Sequence, residues 1–108
     1  MYLNLFRGID SVKSEFEIDD AELAGATILL AHYDIDGYEG DAFVLFERDG
    51  KLYEVNGSHC SCYGLEGQWQ PEETSVEEIR FRMEKGYVFA GFKPELRAVL
   101  DSLETYKR

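Results

Sequence analysis

The pattern of apolar and polar positions divides the chain into extended and helical segments. Short apolar runs at 27–33, 42–46 and 52–55 have the length and composition of strands. Between the last two runs, Asp49-Gly50 is the pair preferred in a two-residue type I′ turn, because both central positions need a positive φ. The pattern therefore predicts one strand followed by an antiparallel hairpin.

Two segments rich in glycine and polar residues interrupt these strands. Residues 34–41 hold four acidic residues and two glycines, a composition that predicts a loop. Residues 56–70 contain glycines at 57, 64 and 67, which suit turns and close backbone approaches. We expect an irregular segment there, tied to the core by Tyr63, Leu65 and Trp69.

The C-terminal part predicts two helices with a short strand over 87–92 between them. Residues 71–78 predict the first helix start, with a capping box formed either by Thr74 and Glu77 or by Ser75 and Glu78. Gly86 would end that helix. The second helix begins at 93–96, with a proline at an early position. The predicted buried stripes are Val76, Ile79 and Met83, then Leu96, Val99, Leu100 and Leu103.

Residues 9–23 allow two interpretations. Ser11 caps a helix that runs through Ile18, or Asp19 and Asp20 cap a short helix over 21–24. The order of all elements predicts an α+β fold, with a small antiparallel sheet of three or four strands and two or three helices packed on one face.

Length and composition predict a single domain over residues 1–108. The chain is 44% hydrophobic, enough apolar material to bury a core. Its longest apolar run is far shorter than the about 20 residues of a spanning helix. The N-terminus has no secretory pattern, so we expect a cytoplasmic protein without membrane contact.

Charge is unevenly distributed along the chain. The formal net charge is −11, from 22 acidic and 11 basic residues. Residues 1–56 carry 13 acidic and 4 basic side chains, a net −9, whereas residues 57–108 carry 9 and 7, a net −2. Such a field repels nucleic acid and anionic membranes and favours basic partners. We therefore expect no direct binding of nucleic acid. The alternative is that the negative charge serves only solubility.

Nine acidic residues form two clusters along the chain. They are Glu15, Glu17, Asp19, Asp20 and Glu22, then Asp34, Asp36, Glu39 and Asp41. Carboxylates about 6–7 Å apart on a rigid domain can take the place of nucleic-acid phosphates. We therefore predict that these nine residues bind a protein that has a basic, nucleic-acid-binding surface. The alternative is a solvated charged surface without a partner.

A second hypothesis, a small metal or thiol module, rests on His59, Cys60 and Cys62, with His32 from another segment. Two thiolates and two imidazoles suffice for a tetrahedral zinc site. The Cys-x-Cys spacing is less specific than paired Cys-x-x-Cys motifs, and small thiols also pack as apolar groups. We expect no cofactor, with zinc as the alternative.

Neither a catalytic thiol nor a calcium loop is favoured. The two cysteines are too close in sequence for a good disulfide, which indicates free thiols in a reducing compartment. Surplus negative charge raises thiol pKa values, and no orienting acid is recognisable, so we predict no enzyme activity. The 34–41 segment departs from the EF-hand pattern, since Gly37 is fourth and not sixth.

The stretch GDAFVLF…DGKLYEVNGSHCSCYGLEGQW…PEETS, over residues 40–75, resembles a group of small acidic proteins encoded by bacteriophages and prophages. The resemblance extends over about residues 26–80. It implies a phage-borne accessory protein made in the host bacterial cytoplasm. Small phage proteins of this kind often disable CRISPR or restriction systems, some as DNA mimics, so the resemblance implies an inhibitor. It transfers no site residue.

Overall fold

Five strands form one sheet whose spatial order follows the chain order. The computed structural model describes residues 1–36, 39–59, 64–85 and 91–106. The strands are β1 Tyr2–Asn4, β2 Thr27–Asp36, β3 Glu39–Arg48, β4 Lys51–His59 and β5 Glu72–Thr74. The β2–β3 and β3–β4 pairs are antiparallel, and β1 lies parallel to β2. The predicted α+β class is confirmed, with five strands rather than three or four.

The predicted β3–β4 hairpin is confirmed, with Asp49 and Gly50 as its two-residue turn. Their φ angles are 54° and 77°, so both central residues lie in the left-handed region that a type I′ turn requires. This turn sets the register of β4, in which Arg48 pairs with Lys51 and Val44 with Val55. The local sequence therefore fixes the pairing across the centre of the sheet.

The predicted loop over residues 34–41 is wrong, because most of it continues the β2–β3 ladder. Asp34 pairs with Asp41, and Ile35 pairs with Gly40. A Cβ at Gly40 would lie 2.6 Å from the Asp34 carbonyl oxygen, so this close pairing needs a glycine. The charged composition indicated a loop, but the apolar ladder behind these residues holds them extended.

The predicted irregular segment over 56–70 is also partly wrong, since β4 continues through residues 56–59. The Gln68 side chain hydrogen-bonds the backbone of Ser58, as a neighbouring strand would. The Gln68 side chain accepts a hydrogen bond from the Ser58 amide at 2.8 Å and donates one to the Ser58 carbonyl at 2.7 Å. It also donates to the Gly64 carbonyl at 2.7 Å. One amide side chain thus fastens residues 64–68 to the end of β4.

Both interpretations of residues 9–23 are realised, with each helix displaced by one to three residues towards the N-terminus. Helix α1 spans Ile9–Phe16, and a 3₁₀ helix follows at Asp20–Leu23. Ser11 is not the cap; its hydroxyl lies in the first turn and accepts from the Arg7 and Gly8 amides at 2.9 and 3.2 Å. Asp19 does cap the 3₁₀ helix, as one of the two interpretations predicts.

The chain divides into two compact units, Met1–Glu73 and Thr74–Arg108, so its predicted organisation as a single domain stays a prediction. The first unit buries α1 on one face of the sheet through Val12 and Phe16. Their partners include Val44 and Phe46, and the Phe46 ring stacks on Trp69 with centroids 5.7 Å apart. The core on this sheet face comprises Phe6, Val12, Phe16, Ala31, Tyr33, Ala42, Val44, Phe46, Val55 and Leu65.

The second unit contains helices α2 Val76–Lys85 and α3 Lys93–Tyr106. Residues 72–74 are strand, and α2 begins directly after Ser75, whose side chain accepts a hydrogen bond from the Glu78 amide at 3.1 Å, in agreement with the second capping alternative. Leu96 and Leu100 are fully buried. Arg80 of α2 hydrogen-bonds Asp101 and Glu104 of α3, and both carboxylates raise the pKa of the guanidinium.

Several expectations fall on residues outside the described part of the chain. These are Gly86 as the end of α2, Tyr63 as a tie to the core, and most of the predicted strand over 87–92. Gly91 and Phe92, which end that predicted segment, are not in a strand. Within the described residues, no helix is both long enough and apolar enough to cross a membrane.

Candidate functional site

The outer end of the β2–β3 ladder carries acidic residues in cross-strand register. Asp34 lies directly opposite Asp41, and Asp36 lies opposite Glu39. In antiparallel strands, Cβ atoms of directly opposed residues are about 4.5–5.5 Å apart. Glu39 and Asp41 are two positions apart on β3, so their side chains share a face at a spacing of about 6.8 Å. The sheet therefore sets the positions of the Asp34, Glu39 and Asp41 carboxylates, whereas the Asp36 side chain lies outside the described part of the structure.

No cation neutralises this acidic ladder within the described part of the chain. Asp34, Glu39 and Asp41 are exposed. None of the three forms an ion pair there, whereas other carboxylates on the molecule pair with Lys13, Lys51 and Arg80. Like charges directly opposite each other on neighbouring strands destabilise a sheet. The fold thus tolerates a local electrostatic cost at this end of the hairpin.

In the first acidic cluster, two of the five carboxylates form contacts within the protein. Asp19 accepts hydrogen bonds from the Ala21 and Glu22 amides at 3.1 and 3.3 Å, so its carboxylate caps the 3₁₀ helix. Asp20 pairs with Lys13 at 2.7 Å. That hydrogen bond lowers the pKa of the Asp20 carboxyl and raises that of Lys13. These two acids are engaged in holding α1 and the following turn.

The remaining acids of the first cluster are exposed. Glu15, Glu17 and Glu22 form no side-chain ion pair among the residues that the structure describes. Glu17 ends α1 in the left-handed region with φ 54°. Only these three carboxylates of the cluster are therefore available to a partner without disrupting a described contact.

The two clusters belong to different faces of the sheet. Helix α1 packs on the face that carries Val44 and Phe46. Ala42 lies on that same face, so its neighbours Asp41 and Phe43 point to the opposite face. Asp34, the cross-strand partner of Asp41, lies on that opposite face too. The structure brings Asp34, Glu39 and Asp41 together, but it separates them from the α1 cluster.

Two residues of the predicted zinc set, His32 and His59, lie within the described part of the chain. His32 is buried and pairs in register with Phe43, so it lies on the Phe43 face. His59 lies on the other face, where its ring centroid is 6.4 Å from that of Tyr33. The two histidines therefore lie on opposite faces of the sheet, because consecutive residues of a strand point to opposite faces.

Cys60 and Cys62 lie outside the described residues, so a thiol or metal site made from them and His59 stays a prediction. Across the described ranges, no group of three or more His, Cys, Asp and Glu side chains is placed to hold a metal ion.

One polar cluster has no counterpart in the sequence analysis. Tyr33 on β2 is only 2% exposed. The centroid of its ring lies 5.4 Å from that of Phe6 and 6.4 Å from that of His59. Burial raises the pKa of the Tyr33 phenol, and the negative charges of Glu15 and Glu66 raise it further. These residues come from five separate segments, so no local motif predicts the cluster.

Glu66 is held in this cluster by backbone groups. Its carboxylate accepts a hydrogen bond from the Gly64 amide at 3.2 Å. Hydrogen bonds from its own amide and from the Gly64 amide lower the pKa of the Glu66 carboxyl, and nearby His59 lowers it slightly further. Glu66 therefore carries its negative charge beside His59 under ordinary conditions.

Comparisons with protein-family models, curated proteins and solved structures found no match to this chain. The resemblance to phage-encoded proteins therefore stays a prediction.

Proposed function

We propose that this chain is a non-enzymatic, phage-type accessory protein that binds and inhibits a bacterial nucleic-acid-binding protein. In this proposal it acts in the host bacterial cytoplasm, on a host-defence system such as CRISPR or restriction, by presenting carboxylates where DNA would present phosphates. The single observation that supports it most is the cross-strand pair of Asp34 and Asp41, with Glu39 beside it.

The electrostatics of that pair favour a cationic partner. The two carboxylates repel each other across the ladder, and the described part of the chain supplies no cation to them. A lysine or arginine side chain placed between them would replace repulsion by attraction. Binding therefore relieves a cost that the free protein carries, which increases affinity for a basic surface.

The rigidity of the hairpin supports the same proposal. Behind the acidic pair, the ladder runs through buried residues including Phe43 and Val44. A rigid platform loses little conformational entropy on binding, so more of the interaction energy appears as affinity. The net −9 over residues 1–56 would also accelerate encounter with a basic surface, in a salt-dependent manner.

The test is capture of partners from bacterial lysate on the immobilised protein at low and high salt, followed by mass spectrometry and by competition with double-stranded DNA. We expect a captured DNA-binding protein that is displaced by DNA and by high salt. The Asp34→Asn/Asp41→Asn double variant should weaken its binding at least tenfold, since charge pairs across interfaces typically contribute about 1.5 kcal/mol or more.

A matched control separates this site from net charge. Glu77→Gln/Glu84→Gln also removes two negative charges, from exposed positions of α2 that form no ion pair among the described residues. This variant should bind almost as well as the natural sequence. Equal weakening in both double variants would refute the acidic ladder as the binding site.

A further inference from the structure

The Tyr33 cluster on the opposite sheet face has the composition of a binding site. The Tyr33 ring is buried, and its hydroxyl forms no hydrogen bond with any residue that the structure describes. The neighbouring His59 has a buried Nδ1 atom that also lacks a hydrogen-bond partner there. A buried polar atom without a partner is costly, and in native structures it often marks a place that a ligand completes.

The Glu66 carboxylate and the His59 ring both lie beside Gly64, and the charges of Glu66 and Glu15 act on the Tyr33 phenol. Glu66 uses one oxygen to accept from the Gly64 amide, and its other oxygen lies 2.8 Å from the position of a Cβ on Gly64. Glu15, on α1, is close enough to act electrostatically on the Tyr33 hydroxyl, as Glu66 does. Neither carboxylate forms an ion pair within the described ranges. No lysine or arginine of those ranges therefore pairs with their negative charge.

Every polar group in this cluster can accept a hydrogen bond. Ionised carboxylates are acceptors only, a phenol oxygen accepts as well as donates, and a neutral imidazole accepts at one nitrogen. The complementary ligand is therefore a cation with several N–H donors. A guanidinium fits better than an ammonium, since it is planar, carries five donors, is weakly hydrated and stacks on aromatic rings.

We propose that Glu15, Tyr33, His59 and Glu66 form a binding site for a guanidinium group. The carboxylates of Glu15 and Glu66 would balance its charge, the Tyr33 oxygen and His59 Nδ1 would accept from its edge, and the aromatic rings would border its plane. This inference does not depend on the acidic ladder, which lies on the other face of the sheet.

The test is an NMR titration of the intact protein with N-acetyl-arginine amide, followed at Tyr33, His59 and Glu66. We expect saturable shifts in the millimolar range, and far smaller ones with N-acetyl-citrulline amide, which has the same shape without the charge. Equal shifts with citrulline, or shifts that do not saturate, would overturn the site. Equal affinity for N-acetyl-lysine amide would overturn its assignment to guanidinium.

Two conservative variants test the residues. Tyr33→Phe removes only the hydroxyl, and Glu66→Gln keeps an oxygen for the Gly64 amide. Each should weaken binding of the arginine probe about tenfold, the usual effect of losing a hydrogen bond to a charged group. Urea midpoints and amide spectra like those of the natural protein would show that both variants are folded. Unchanged affinity in both would overturn the proposal.

Further experiments distinguish a specific site from general attraction by charge, and a free metabolite from a protein side chain as the ligand. Glu84→Gln and Glu77→Gln/Glu84→Gln remove negative charge elsewhere and should bind the probe within about twofold of the natural protein. A tenfold loss in either would reduce the site to general attraction. Agmatine and the peptide Gly-Gly-Arg-Gly-Gly represent a free metabolite and a protein side chain. Tighter binding of the peptide assigns the site to a partner protein, and tighter binding of agmatine assigns it to a small molecule.

Discussion

The inner and outer halves of the β2–β3 ladder share one backbone pairing but have opposite surfaces. In the inner half, Ala31 pairs with Val44 and both are fully buried. In the outer half, Asp34 pairs with Asp41 and both are exposed. The change takes place between Tyr33, which is buried, and Asp34, which is exposed.

The difference shows where stability and exposed charge reside in the hairpin. Burial of apolar side chains stabilises the inner half, at roughly 25 cal/mol per Å² of apolar surface removed from water. The outer half gains little burial and suffers like-charge repulsion, so it stays paired because the inner half already fixes its register. A surface that lowers stability but is rigidly presented is typical of a binding site.

The largest expected effect comes from Phe46, in the inner half. Its ring is fully buried and stacks on Tyr53 and Trp69. Phe46→Ala should lower the free energy of unfolding by about 3–5 kcal/mol, from lost burial and the resulting cavity. Urea denaturation followed by circular dichroism measures it. Asp41→Ala, in the outer half of the same strand, should change stability by less than about 0.5 kcal/mol, and similar losses in both would contradict the comparison.

Gly40 lies in the outer half, opposite Ile35, and its replacement should selectively disturb that half. In Gly40→Ala the new Cβ meets the Asp34 carbonyl oxygen, which cannot move without shifting the strand. We expect a loss of about 1–3 kcal/mol, as for other overpacked sites. Hydrogen exchange should accelerate at residues 34–36 and 39–41 but not at 43–46. Uniform acceleration along the hairpin would mean that the two halves unfold together.

Removing the repulsion should slightly stabilise the outer half. Asp34→Asn/Asp41→Asn keeps the shape of both side chains and should raise the free energy of unfolding by about 0.2–1 kcal/mol at low salt. The gain should shrink at 1 M salt, where exposed charges are screened over about 3 Å. Urea midpoints at both salt concentrations test this. A loss of stability would show that the carboxylates have stabilising partners.

The smallest effect at neutral pH concerns Tyr33, at the boundary. Its folded pKa lies above the unfolded value because burial and two carboxylates disfavour the phenolate. The unfolded state therefore releases the proton first, so this stability is complete below about pH 10 and is lost as pH rises through the folded pKa. Tyr33→Phe should match the natural protein at pH 7 and lose less stability above pH 10. Parallel pH profiles would contradict this.

The elements that follow from local sequence are those with strong short-range signals. Asp49-Gly50 predicts its turn because few residue pairs adopt two positive φ angles. Asp19 and Ser75 predict helix starts because their side chains bond amides two or three residues away. The two acidic clusters are likewise visible in the sequence, since charge patterning needs no structure.

Other features depend on residues distant in the chain. Strand pairing holds Asp34 and Asp41 extended where composition indicated a loop, and alternation of faces along β2 separates His32 from Tyr33 and His59. The pairing of β1 with β2 and the meeting of Glu15, Tyr33, His59 and Glu66 have no local signal. Short-range backbone preferences act between neighbours, whereas these juxtapositions arise from burial of a shared apolar core, and that depends on the whole chain.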